Sequence, residues 1–247
     1  MSAAPAPWWQ AAFASAYRQV YAHRDDAAAA AEVAAIARRL GPTPGPVLDA
    51  GCGCGRHVAA LADLGFGAVG IDWSADLLRA AAARPGGADV ARGDLRRPPF
   101  ADRSFAAVLS LFTAFGYGDD AENAALFARL AALIAPGGWF VLDLPDPARV
   151  RRTLVPESRR TTAAGLTIVE QRNLHGPRVQ KQVRVSDGEN HVAQWRECVR
   201  LYEPAEIDAL ARANGMAVVE RWPGLRGAEV DEGRIVAWIS SAAGCRD

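Results

Sequence analysis

Apolar and polar positions change rhythm three times along the 247 residues. At the start, Trp9, Phe13, Tyr17 and Val20 recur at intervals of three and four, which predicts a helix over residues 8–21. Val33, Ile36, Ala37 and Leu40 repeat that spacing in a second helix. Gly41 stops it, and Pro42-Thr43-Pro44-Gly45-Pro46 reads as a rigid linker. From Val47 onward, short apolar runs alternate with helical ones. Strands are expected at 47–50, 68–71, 88–91, 105–111 and 139–144. Helices fall at 58–64 and 75–83, and a third carries Leu126, Leu130, Leu133 and Ile134 until Pro136-Gly137-Gly138 breaks it. Strand–helix alternation implies a parallel sheet with right-handed crossovers.

After Pro147 the pattern becomes β segments at 161–171, 179–186 and 192–201, joined by turns such as Asp187-Gly188. This predicts an antiparallel meander inserted after the fifth strand. A helix at 204–213 starts on a proline and has Gly215 just past its end. Strands at 216–221 and 234–240 close the chain. The expectation is an α/β fold, a doubly wound, mostly parallel seven-stranded sheet. A helical cap or lid would span 1–45, the core 46–147 and 203–247, and the β insertion 148–202, covering the substrate site.

Composition narrows the function classes. Half of the residues are hydrophobic, enough for a core at this length. No run reaches the ~20 apolar residues of a membrane span. Met1-Ser2-Ala3-Ala4-Pro5 shows no basic region followed by an apolar stretch, so no signal peptide is expected and a cytoplasmic location is the default. Formal net charge is zero, whereas a chain that grips nucleic acid by its phosphates carries a basic excess. Lys181 is the only lysine, so the arginine count reads as codon bias. The cysteines, Cys52, Cys54, Cys198 and Cys245, lack the spacing of a zinc or redox site, and no metal is expected.

Three acids carry the chemical signal. Asp49 ends the first expected strand, Asp72 the second, and Asp94 follows the third. Carboxyl ends of strands form the ligand crevice of a doubly wound sheet, so these acids should converge. Between the first two lies Gly51-Cys52-Gly53-Cys54-Gly55, where glycines permit a tight turn and close approach of a ligand. Asp72 stands 21 residues beyond Gly51 (72 − 51), near the ~20-residue offset at which an acid reaches an adenosine ribose. Each acid alone could be a turn residue or a helix cap. A nicotinamide-binding loop reads Gly-x-Gly-x-x-Gly; here Arg56 occupies the third glycine's place. A carboxylate directly before the loop suits a cation better than a pyrophosphate.

Residues 47–57, Val-Leu-Asp-Ala-Gly-Cys-Gly-Cys-Gly-Arg-His, resemble the first motif of the class I S-adenosylmethionine (SAM)-dependent methyltransferases. Val69 to Ser74 resembles the second, Gly93-Asp94-Leu95-Arg96 with Pro99-Phe100 the third, and Ala135 to Gly138 the turn before strand five. The resemblance implies a Rossmann-like fold, SAM as cofactor and S-adenosylhomocysteine (SAH) as product. It implies that Asp49, Gly51, Cys52, Gly53, Gly55 and Arg56 surround the methionyl part and Asp72 and Trp73 the ribose. Gly93, Asp94 and Leu95 would take the adenine edge, and Leu111 and Phe112 the sulfonium. Tyr17 and Tyr21, with His23 and Arg24, are lid contacts by the same analogy; plain helix packing is the other reading.

The acceptor side is less legible. Tyr117, four residues past Thr113, could orient an acceptor, with structural packing as the other reading; His57, directly after the loop, could act as a base or be a first-turn helix residue facing the cofactor or solvent. Phe115, Trp195, Arg200 and Tyr202 are candidates to cover the substrate, Arg200 by holding a carboxylate or phosphate. Ser110-Leu111-Phe112-Thr113 is unlike the Pro-Pro motif of nucleic-acid amino-methyltransferases. A meander inserted after strand five resembles small-molecule N-methyltransferases, such as those acting on glycine or amino sugars, and that resemblance implies a small-molecule acceptor, methylated at N or O rather than C or S, in a monomer or homodimer with no nucleic-acid or membrane partner. A nicotinamide-dependent oxidoreductase and a non-methylating SAM-binding protein are the competing readings.

Overall fold

The computed structural model describes residues 7–13, 15–42 and 45–241. Thr43 and Pro44 of the expected linker, and Cys245, lie outside the described residues. The expected first helix is two, α1 (Trp8–Ala12) and α2 (Ser15–Val20), because Phe13 leaves helical geometry at φ −89°, ψ 44°. In α3 (Asp26–Leu40) the Asp25 side chain accepts from the Ala28 amide at the start, and Gly41 ends it at φ 65°. Then follow β1 (Val47–Ala50), α4 (Arg56–Asp63), β2 (Ala68–Asp72), α5 (Ala75–Ala82), β3 (Val90–Arg92), β4 (Phe105–Ser110) and α6 (Asp120–Ala132). β5 (Ile134–Pro145) begins earlier than its sequence suggests: Ile134 is not helical but pairs with Phe105 of β4.

Two elements escape the periodicity. A short helix α7 (Pro147–Thr153) follows β5, with Asp146 accepting from the Ala148 amide. The meander has four strands rather than three: β6 (Glu157–Thr161), β7 (Thr167–His175), β8 (Arg178–Asp187) and β9 (Asn190–Arg200). β6 reads Glu-Ser-Arg-Arg-Thr on an exposed edge, with no apolar alternation to announce it. α8 (Pro204–Ala213), β10 (Met216–Trp222) and β11 (Arg234–Ser241) complete the chain.

The main sheet runs β10-β11-β5-β4-β1-β2-β3. Pairings from β5 through β3 are parallel, and β11 joins antiparallel to both β5 and β10. On one face α6 and α8 bury Phe127, Leu130, Ile207 and Ala211 against Leu48, Phe140 and Leu142. On the other, α3, α4 and α5 bury Ile36, Leu61 and Leu78 against Val47, Leu109 and Trp238. Fully burying one such aliphatic or aromatic side chain is worth about 1.5–3 kcal/mol, so both layers are firmly seated. The second sheet, β6-β7-β8-β9, packs on the N-terminal segment through Ala12, Val20, Ile168, Val183 and Trp195. β1, β2 and β4 therefore end at the same edge, under that segment.

Candidate active site

The chain leaves β1 through a turn in which Gly51 has φ 91° and Gly53 φ 54°, conformations that cost an L-residue heavily. At Gly51 space is also closed: a Cβ would stand 2.6 Å from the Ala114 Cβ. At Gly53 a Cβ would meet only Leu77 at 3.8 Å, so open room lies above it. Asp72, at the end of β2, accepts from the Gly53 amide (2.9 Å) through Oδ2 and from the Ser74 amide (2.8 Å) through Oδ1. Burial raises its pKa against the opposing effect of those amides. Asp94 is held by Arg96, whose Nη2 donates to Oδ2 at 2.6 Å; that hydrogen bond keeps its carboxyl below the usual range.

Asp49 is 2 % exposed, and its Oδ2 has no hydrogen-bond partner. Burial pushes its pKa to about 6, partly countered by His57. The His57 ring lies with Nδ1 3.9 Å from that oxygen and Nε2 2.9 Å from Glu32 Oε2 of α3. A buried carboxylate without a partner is costly unless something cationic compensates it.

Above these strand ends lies a cavity of about 400 Å³, within the range of small-molecule sites. Its base is Gly51, Gly53, Asp72, Trp73, Gly93, Asp94 and Leu95; one wall is Leu111, Phe112, Ala114 and Tyr117. Trp8, Trp9, Phe13 and Tyr17 roof it, and Glu122, Asn123 and Leu126 of α6 complete it. The roof is tied down at both sides. Trp8 packs edge-on against Tyr117 at 4.7 Å and Trp9 against Trp73 at 5.5 Å. Ser74 Oγ donates to the Phe13 carbonyl. On the insertion side Tyr21 donates to Glu197 (2.8 Å), which also accepts from Trp195 Nε1 (2.9 Å) and pairs with Lys181 (2.9 Å). Burial raises the pKa of Tyr17, Tyr21 and Tyr117, so all three phenols stay protonated at neutral pH.

Of the residues singled out from sequence, Gly51, Gly53, Asp72, Trp73, Gly93, Asp94, Leu95, Leu111, Phe112, Tyr17 and Tyr117 meet around this cavity. Others stand behind its lining. Cys52 packs over Gly70 of β2, where a Cβ would touch its Sγ. Gly55 starts α4 in a left-handed conformation, and Arg56 donates to the Asp25 carbonyl (2.8 Å). His57 and Tyr21 are engaged as described, and Asp49 is buried with its Oδ2 unpartnered. The expected substrate residues go elsewhere. Phe115 and Tyr202 pack on each other at 5.5 Å in the core. Trp195 is buried under the roof segment. Arg200 pairs with Asp120 (3.1 Å) and Glu206 (2.5 Å), leaving no free guanidinium edge for a ligand anion. Sequence reasoning overlooked Trp8, Glu122 and Asn123; nothing in their spacing marks them as lining, since α1 reads as an amphipathic helix and α6 as a crossover.

Adenosine with a charged sulfur suits this geometry: open room over Gly53, a fixed acceptor at the end of β2, and the orphaned Asp49 oxygen nearby. The chain is similar to SAM-dependent methyltransferases, one of whose solved structures holds SAM. Residues 47–138 match the model of the family described as "Methyltransferase domain". The chain is 39 % identical over 116 residues to a dTDP-3-amino-3,6-dideoxy-alpha-D-glucopyranose N,N-dimethyltransferase of Streptomyces fradiae, covering 46 % of this chain and 45 % of that enzyme. It is 29 % identical over 216 residues to a dTDP-3-amino-3,4,6-trideoxy-alpha-D-glucopyranose N,N-dimethyltransferase of Streptomyces venezuelae, covering 83 % and 90 %. Among solved structures it resembles a SAM-bound amino pentose methyltransferase from Micromonospora echinaspora involved in calicheamicin biosynthesis, with a TM-score of 0.70 and 26 % identity over 91 % of this chain and 97 % of that one.

Proposed function

We propose that the chain N-methylates a small-molecule amine, such as an amino sugar of secondary metabolism. The observation that carries this reading is the charge of the cavity. Its lining carries the carboxylates Asp72, Asp94 and Glu122 beneath aromatic rings, and its one guanidinium, Arg96, is already bound to Asp94. Such a site favours positive charge on donor and product. The names of the two Streptomyces enzymes support an amine, and so does the solved amino pentose methyltransferase.

SAM supplies an electrophilic sulfonium methyl when bound. Asp72 would accept from the ribose, Asp94 and the Leu95 amide would meet the adenine edge, and Gly51 and Gly53, which line the cavity, would leave room for the methionyl part. Leu111 and Phe112 wall the sulfonium end and exclude water. Tyr117 orients the acceptor with its neutral hydroxyl. The acceptor nitrogen would arrive unprotonated, its lone pair forming the new C–N bond as the methyl–sulfur bond breaks and the electron pair stays on sulfur, giving neutral SAH; the surplus proton on nitrogen then leaves to solvent. Alignment and water exclusion supply the acceleration, so no base need touch the acceptor. His57 is no contact base in this scheme, because its ring faces Glu32 and Asp49. Residues 1–45 act as the lid, 46–147 and 203–247 as the cofactor core, and 148–202 support that lid from the acceptor side. The reading places a monomer or homodimer in the cytoplasm, with no nucleic-acid partner. Among the described residues, no helix is long and apolar enough to cross a membrane.

The test has two stages. Titration calorimetry with SAM and SAH comes first; absence of binding at millimolar ligand ends the reading. Incubation with free and dTDP-linked amino sugars follows, scoring SAH release and products heavier by one or two methyl groups. SAH release with hydroxylated acceptors alone would move the target atom to oxygen.

A further inference from the structure

Where the chain leaves β4, two successive residues other than glycine adopt left-handed backbone: Phe112 at φ 50° and Thr113 at φ 65°. The Cβ then crowds the following carbonyl, and for a bulky side chain the conformation is a genuine outlier. Adjacent strained residues persist only where their surroundings over-determine them.

Those surroundings are specific. Asp143 of β5 is fully buried, and its Oδ2 accepts from the Phe112 amide at 2.6 Å. Arg234 of β11 grips the same carboxylate: Nε donates to Oδ1, and Nη2 donates to Oδ2 at 2.8 Å. That Nη2 also donates to Thr113 Oγ1 at 3.2 Å. One bidentate ion pair, laid across three neighbouring strands, thus holds one strained residue by its backbone and the other by its hydroxyl. The turn it holds faces the cavity through Leu111, Phe112 and Ala114, and the Phe112 ring stacks on His57 at 5.5 Å.

We infer that the Asp143–Arg234 pair is a positioning device for methyl transfer: it keeps the 111–114 turn in its strained form so that the turn's apolar wall meets the sulfonium methyl. The inference rests on the cofactor placement proposed above. Neither residue touches the cavity; both act through Phe112 and Thr113. If the pair is loosened, the turn relaxes toward unstrained backbone and carries Phe112 away from the methyl end. The adenosine end, held by Asp72 and Asp94, stays as it is. A merely structural ion pair would affect both ends alike.

SAM and SAH differ by that methyl group and its charge, so their ratio of affinities reads the methyl end without any acceptor. Titration calorimetry on Asp143→Asn should leave SAH binding within about twofold of the wild type while weakening SAM by about fivefold or more, the scale of one released backbone strain. Arg234→Lys keeps the charge but cannot span both carboxylate oxygens and Thr113, so it should shift the ratio the same way; it serves if Asp143→Asn fails to fold. Thr113→Gly added to Asp143→Asn removes the Cβ penalty and should recover part of the ratio. Equal weakening of both ligands, an unchanged ratio in both clamp variants, or no recovery in the double variant would overturn the inference. A wild-type chain that binds neither ligand would overturn the cofactor reading first, and this inference with it.

Discussion

Asp49 should cost the unliganded fold stability at neutral pH, and replacing it should show how much. Its carboxyl moves from the ordinary value of 3.8 to about 6 through burial. The folded chain therefore holds the Asp49 proton over a range in which the unfolded chain has lost it. Below about pH 4 both states are protonated and the residue is neutral in its effect. Between about 4 and 6 the cost grows, and above 6 it is complete. A rise of that size corresponds to about 3 kcal/mol. Asn has the same shape without the charge, so Asp49→Asn should match the wild type near pH 4 and exceed its stability by up to about 3 kcal/mol at pH 7.5. For a chain of this length that is a rise in Tm of about 6–12 °C. Urea unfolding of both proteins from pH 4.5 to 8 measures the gap directly. The groups facing Asp49 are His57, Asp72 and Arg56, with Glu32 beyond His57. Repeating the comparison in a His57→Gln background removes the imidazole that faces the carboxylate. A gap independent of pH, or one that narrows as pH rises, would refute the argument. The stabilised variant should also bind SAM less tightly, because the unpartnered oxygen favours a cation.

Asp72→Ala should weaken SAM binding by about 1–3 kcal/mol, the loss of a charged acceptor; unchanged affinity by calorimetry would contradict a ribose role. Gly51→Ala puts a Cβ 2.6 Å from Ala114 at φ 91°, so a loss of about 1–3 kcal/mol in urea unfolding is expected. Ser74→Ala removes both the α5 cap, where Ser74 Oγ accepts from the Leu77 amide, and the bond to the Phe13 carbonyl. Ser74→Asp keeps the cap but cannot donate, so limited proteolysis should cut the N-terminal segment faster in both variants, while only the Ala variant loses the cap's ~1 kcal/mol of stability, read as a lower Tm.

The core elements were legible because their apolar spacing and glycine punctuation agree: β1 and α8 fall within their expected ranges, and all seven strands of the main sheet are in place. Local rules failed where local signals conflict or vanish. Phe13 interrupts a helix that the spacing of Trp9 and Tyr17 would continue. β6 pairs through its backbone while its side chains meet solvent, so no periodicity records it. At the site, the acids and glycines announced the base of the cavity, since those residue types are demanded by backbone geometry. The roof and the far wall were illegible because Trp8 and Asn123 read as ordinary helix residues. Arg200 misled for a related reason: a basic residue beside a cleft invites a ligand anion, but Asp120, 80 residues away, and Glu206, across the turn into α8, close on it. Asp143 and Arg234 lie 91 residues apart, and no short-range pattern joins them.

The bond network that seats the N-terminal segment contains the only side-chain amine in the protein. Lys181 Nζ is 2.9 Å from Glu197 and 3.6 Å from Glu170, and it donates to the Tyr21 hydroxyl. An amine engaged on three sides cannot attack an acylating reagent until Tyr21 and Glu197 let go. Attachment of an amine-selective dye to this one position therefore times the lifting of the N-terminal segment, and ligands that press the segment down should slow the dye.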